Sequence, residues 1–248
     1  MKYKKSEAKE YARENFVGVW AASLTPFDDQ LKLDEKALRE NLSHWVNELN
    51  LGGLFIAGKQ AEFFSMSIAE RKRLMDLSVE VAHEAGNRGG IGHCGIVTSC
   101  SDTNLDVVLD LAKHSQNIGA DYVIVHSPVL HFGADTDETI YEYYRYLSEK
   151  IDIGLAMWNH PDCGYVMSPE LCARIAELPN VVAIKYSTDR EKYKRLTEMV
   201  GDKIHVSNPD EPDWLENIIE LGWKLYLCST PPYLLQSKVD QRMNEYTQ

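Results

Sequence analysis

Eight times along this chain a short apolar run gives way to a longer amphipathic stretch. The runs are Gly18–Leu24, Gly53–Ala57, Gly89–Ile96, Tyr122–His126, Ile153–Trp158, Val181–Ile184, Ile204–Ser207 and Lys224–Cys228. Each is rich in Val, Ile, Leu, Gly or aromatic residues and too short for a buried helix, so length decides for strand. The stretches between them carry helical spacing: Leu38, Leu42, Trp45, Val46 and Leu49 line one face of Asp34–Leu49. Ser67 with Glu70 makes a capping box for a helix over Ser67–Ala85, and Gly119 stops one over Asp102–Ile118. Further helices are expected over Asp137–Ile151, Ser168–Leu178, Glu191–Val200, Trp214–Leu221 and Pro232–Tyr246.

Strands and helices in strict alternation, joined by short loops, imply a parallel sheet. Eight units favour closure, because an open sheet leaves edge strands to protect. The expectation is an α/β chain, a single-domain (β/α)8 TIM barrel over 16–248, preceded by an arm or helix over 1–15. No linker or low-complexity run divides it. At 248 residues the length suits such a barrel.

Composition narrows the function. The net charge of −12 argues against nucleic acid as a partner, since binding a phosphate backbone needs clustered Lys and Arg. No apolar window approaches a membrane span, and the polar first residues carry no signal core. Five cysteines without a CxxC pair read as reduced thiols. A cytoplasmic protein that acts on a small molecule is expected.

In this fold the chemistry sits at the C-terminal ends of the strands. That narrows the search to Thr25–Phe27, Gly58–Glu62, Val97–Cys100, Ser127–Phe132, Asn159–Gly164, Lys185–Thr188, Asn208–Asp210 and Ser229–Pro232. Lys185 stands out, because it continues the buried run from Val181 to Ile184. Desolvating an ammonium is costly, and the same cost lowers the pKa and frees an amine to attack a carbonyl. The competing reading is a lysine that snorkels to solvent or pairs with Glu62 or Asp210.

The segment Ala183-Ile184-Lys185-Tyr186-Ser187-Thr188-Asp189 resembles the Schiff-base lysine strand of the dihydrodipicolinate synthase/N-acetylneuraminate lyase family. Thr25-Pro26-Phe27 is similar to that family's opening. Gly58-Lys59-Gln60-Ala61-Glu62, with Ser67–Arg71 behind it, resembles its glycine–threonine–threonine–glycine–glutamate loop, and Trp158-Asn159-His160-Pro161 its Asn-x-Pro turn. The resemblance spans Val17 to about Thr230 and implies a divergent class I aldolase-type lyase. It implies that Lys185 forms an imine with pyruvate or another 2-keto acid and needs no further cofactor. Dehydratase or hydratase–aldolase chemistry is the alternative within the family. Substrate contacts are expected from Thr25, Gly58, Lys59, Gln60, Asn159 and Asn208. The family's proton-shuttling tyrosine is missing from Ser127–Phe132, where His131 is the titratable substitute. Cys163 falls near a family hydroxyl residue. The resemblance further implies a homo-oligomer, dimer or tetramer, with the usual C-terminal helical extension short or absent.

Two other functions compete. A divalent metal could be held by His93, His126, His131 and His160 with Glu62 nearby, against the plainer view that His93 and His126 sit in the barrel wall or core. The altered loops also suit a barrel that binds a keto acid without turning it over.

Overall fold

The computed structural model describes residues 1–49, 51–86, 94–130, 135–229 and 236. Among these, eight strands run in chain order: β1 (Gly18–Ala22), β2 (Gly53–Ile56), β3 (Gly95–Ser99), β4 (Tyr122–His126), β5 (Gly154–Asn159), β6 (Val181–Tyr186), β7 (His205–Ser207) and β8 (Leu225–Cys228). The helices are α1 (Ala8–Asn15), α2 (Glu35–Asn47), α3 (Ile68–Gly86), α4 (Leu105–Ile118), α5 (Thr136–Lys150), α6 (Pro169–Ala176), α7 (Arg190–Val200) and α8 (Trp214–Leu221). The strands pair in parallel in the order β7-β6-β5-β4-β3-β2-β1-β8. The ends of that ladder meet where the Leu227 amide donates to the Ser207 hydroxyl at 2.8 Å, which makes a nearly closed (β/α)8 barrel.

Local chemistry sets the helix boundaries. The Asp34 side chain accepts from the Ala37 amide, and Ser168 and Asp189 cap α6 and α7 in the same way. Ser67 and Glu70 form the expected reciprocal box. Gly119 ends α4 at φ +90°, a backbone conformation that favours glycine.

Alternation along the strands divides the core in two. Outward residues such as Val19, Ile56, Val125 and Met157 pack against the helices. Inward residues including Trp20, Phe55, Tyr122, Ile124 and Trp158 fill the barrel. Tyr3, Ala8, Ala12 and Phe16 join that inner cluster, so the N-terminal segment plugs the end of the barrel opposite the chemistry. Phe16 stacks on Tyr122 at 4.2 Å, and the Tyr3 hydroxyl accepts from the Gly154 amide at 2.9 Å while donating to the Asp121 carbonyl.

Two expectations need correction. The third strand is Gly95–Ser99, not Gly89–Ile96, so Val97–Ser99 are ladder residues and not loop; 89–93 lie outside the described residues. Helix α4 starts at Leu105 under an Asn104 cap, because Asp102 is occupied by Arg71. The final helix expected over Pro232–Tyr246 lies, apart from Gln236, outside the described residues. Among the described residues, no helix is long and apolar enough to cross a membrane.

Candidate active site

Lys185 lies inside β6, 1% exposed, and its side chain turns into the barrel. Its Nζ donates to the Cys228 carbonyl at 3.2 Å and sits 5.0 Å from the Phe55 ring centre and 5.4 Å from that of Trp158. Among the described residues it makes no ion pair, so neither Glu62 nor Asp210 neutralises it, and it does not snorkel to solvent. Burial, reinforced by the positive charge of Lys59 and opposed by Cys228 and Asp210, pulls its pKa down to about 8. At pH 7 about one tenth of the amine is then neutral, against roughly one part in three thousand for an ordinary lysine.

The loop after β2 folds over this amine. Lys59 lies only 23% exposed, hydrogen-bonded to the Asp162 carboxylate of the β5 loop, 5.4 Å from the Trp158 ring centre. It is therefore not a solvated loop tip. The Gln60 Oε1 is enclosed without a hydrogen-bond partner. At Gly58 a Cβ would come within 3.1 Å of the Phe55 ring, the ring beneath Lys185. Thr25 holds this loop from β1, its hydroxyl donating to the Ala61 carbonyl at 2.8 Å.

Asn159 and Asn208 complete the set through backbone bonds. Asn159 accepts from the Met167 amide at 3.0 Å and orders the β5 loop, with its Nδ2 unpartnered. Asn208 closes a turn on the Asp210 amide at 2.8 Å. Lys185 and Lys59 thus meet at the Trp158 ring and Lys185 and Gly58 at that of Phe55, with Gln60 enclosed in the same loop, whereas Thr25, Asn159 and Asn208 hold the loops around them. His131 lies outside the described residues.

His126 and Cys163, 37 residues apart in sequence, meet at the barrel mouth. Tyr122, Ile124 and His126 alternate onto the inward face of β4, so His126 is inside the barrel and not in its wall. In the ladder His126 pairs with Trp158, and Trp158 with Lys185, which sets the three side by side on adjacent strands. The imidazole edge meets the Trp158 ring at 4.9 Å. Its Nδ1 contacts the Cys163 thiol and lies 3.2 Å from the Ser127 carbonyl, to which the thiol also donates at 2.9 Å.

A buried frame stands behind this group. The His126 amide donates to the Ser101 hydroxyl at 2.9 Å, and Arg71, 2% exposed, holds the Ser101 carbonyl at 2.7 Å and Asp102 at 2.9 Å. Burial, aided by the charge on Lys59, lowers the His126 pKa to about 4. Burial raises the Cys163 thiol. The pair is therefore neutral thiol beside neutral imidazole, not an ion pair. The one available signal was the period of two along β4, which puts residue 126 on the face of residues 122 and 124.

The metal reading finds no site among the described residues, where no three His, Cys, Asp or Glu side chains gather to hold an ion. His126 and His160 rings stand 6.4 Å apart, and the His160 Nδ1 accepts from the Asp162 amide at 3.2 Å. His93 lies outside the described residues.

The chain is 31% identical over 189 residues to an uncharacterized DapA-like lyase of Thermococcus kodakarensis, covering 75% of this chain and 61% of that protein. It is 26% identical over 209 residues to the 4-hydroxy-tetrahydrodipicolinate synthase of Methanothrix thermoacetophila, covering 84% and 66%. The chain thus spans less than two thirds of the length of these curated relatives. A crystal structure of a dihydrodipicolinate synthase superposes with a TM-score of 0.79 at 21% identity, over 94% of this chain and 76% of the other, which shows a shared fold. The sequence profile of the dihydrodipicolinate synthetase family matches residues 15–243, so the chain belongs to that family.

Proposed function

We propose that this barrel is a lyase of the class I aldolase type that makes or breaks a bond next to the carbonyl of pyruvate or another 2-keto acid. The neutral Lys185 amine adds to the keto carbon and water leaves, giving an imine. Once protonated, that imine draws in the electron pair released at C3, so a bond there can be made or broken. Relatives named as DapA-like lyase and 4-hydroxy-tetrahydrodipicolinate synthase support the reading. The observation that carries it is a lysine held inside a nearly closed sheet, among aromatic rings and with no carboxylate partner among the described residues. Such an arrangement is unfavourable for stability and useful for nucleophilic attack.

Lys59 and Gln60 have the chemistry to receive the keto-acid carboxylate. Lys59 would exchange its Asp162 partner for the substrate, and Gln60 would turn its amide toward it. The test is incubation with pyruvate and borohydride, followed by peptide mass mapping. The expected result is a reduced adduct on the peptide that contains Lys185, absent from Lys185→Ala. No adduct with pyruvate or with a panel of other 2-keto acids would overturn the reading.

A further inference from the structure

We propose that His126 is the base that carries the C3 proton of the keto-acid imine, and that Cys163 is the residue that positions its ring. This rests on the reading of Lys185 as the imine-forming residue. An imine becomes an enamine only if a base stands beside C3, and the geometry leaves few choices among the described residues. Lys59 is a cation, and Asp162 stands at the rim with its carboxylate largely exposed, beside the His160 ring. His160 has its Nδ1 against Asp162. Asp210 is held by the Asn208 side chain at 3.1 Å, and Glu62 is exposed. Tyr186 points away from the barrel interior, with its hydroxyl on the Met167 carbonyl. The Tyr143 hydroxyl, enclosed on α5 toward Cys163, keeps its proton because burial raises its pKa. His126 remains, facing inward in the layer of Lys185 with Trp158 between them.

A carbonyl can only accept, so a bond between Nδ1 and the Ser127 carbonyl assigns the ring proton to Nδ1 and leaves the lone pair on Nε2, 3.5 Å from the Cys163 sulfur. In the step, the C3–H electron pair becomes the C2–C3 double bond and the C2=N pair moves onto the lysine nitrogen. The proton ends on Nε2. One positive charge is present before the step, on the iminium, and one after it, on the imidazolium. The buried site therefore moves a charge without creating one, which offsets the burial that keeps the free imidazole neutral.

The groups with charge or titratable nitrogen facing this ring are Lys59 from the β2 loop and Asp162 and His160 from the β5 loop; the Ser127 carbonyl, Cys163 and the Trp158 ring are its neutral contacts. Exchange should accordingly rise with pH through about 4, as His126 loses its proton, and again through about 8, as Lys185 becomes able to form the imine.

The experiment uses pyruvate in heavy water. Deuterium entry at the methyl group is followed by NMR, and borohydride trapping is measured in parallel. For His126→Asn we expect trapping within about threefold of the unaltered protein and exchange slowed by roughly 10²–10⁴. For Cys163→Ala we expect trapping unchanged and the acidic limb of the exchange profile moved upward, because water reaches the ring. Trapping intact with exchange undiminished in His126→Asn would overturn the proposal. So would loss of trapping in a folded His126→Asn, since His126 would then be a support for Lys185. Absence of trapping in the unaltered protein would instead sink the Lys185 reading beneath it.

Discussion

Lys185 is the residue where chemistry and stability pull apart. Its folded pKa of about 8 lies below the ordinary 10.5, so below about pH 8 the fold carries an ammonium it holds less well than water does. At about 1.4 kcal/mol per pKa unit the penalty is of the order of 3 kcal/mol. It shrinks as pH rises from 8 and is gone above 10.5, where the unfolded chain has also lost the proton. Lys185→Met should therefore melt higher than the unaltered protein at pH 7 and abolish trapping. Its advantage should fade as pH climbs from 8 to 10.5, and thermal melts across that range would show it. A Met variant no more stable at pH 7 would mean the amine is better solvated than its surroundings suggest. This residue was legible in the sequence because a lysine at the end of an apolar run contradicts its own context. His126 was not, since it became informative only when a loop thiol 37 residues away came to rest on it. Lys59 falls between: its place in the loop was readable, its carboxylate partner across the barrel mouth was not.

At the scale of the elements, the strands were read where their residues are uniformly apolar and misread where they are not. β3 runs Gly-Ile-Val-Thr-Ser, and its last two side chains are buried with their hydroxyls bonded to other hydroxyls: Thr98 to Ser115 of α4 at 2.7 Å and Ser99 to Ser101 at 3.0 Å. Polarity there hid a strand whose hydroxyls are satisfied internally. Glycines at the starts of β2 and β3 have a plain cause. A Cβ at Gly53 or at Gly95 would fall 2.2 Å from the Trp20 indole, which lies across both strands inside the barrel. Trp20 cannot move aside easily, for its other neighbour is Phe16 from the N-terminal plug, at 4.4 Å. Gly53→Ala should thus cost about 2 kcal/mol or more through overpacking, far beyond the effect of an exposed glycine. Urea unfolding would measure it. A partner change Trp20→Phe should recover part of the loss if the clash is the cause, and recover none if the backbone of β2 is at fault.

For the molecule as a whole, closure is the property on which the site depends. Seven neighbouring strand pairs share backbone ladders, whereas β7 and β8 meet through a side chain, the Ser207 hydroxyl that accepts the Leu227 amide. The eightfold alternation implied a closed sheet, but nothing in the sequence marked the seam, because a serine in a short strand looks like a strand end. Its position matters for the chemistry. Ser207 pairs with Lys185 in the β6–β7 register, and Cys228, one residue past Leu227, supplies the carbonyl that receives the lysine amine. Removing the hydroxyl leaves a buried amide without its acceptor, a loss of about 1–3 kcal/mol. The opening should be local, since the rest of the ladder is untouched. In Ser207→Ala, the Leu227 amide should exchange with deuterium many times faster than in the unaltered protein, while the Val123 and Leu155 amides, far around the barrel, keep most of their protection. The lysine ammonium would lose a fixed acceptor at the same moment, so the midpoint of borohydride trapping against pH should move below about 8. Equal protection of Leu227 with and without the hydroxyl would show that β7 and β8 are joined by packing alone. The closed end of the barrel, and not its seam, would then be what holds the amine in place.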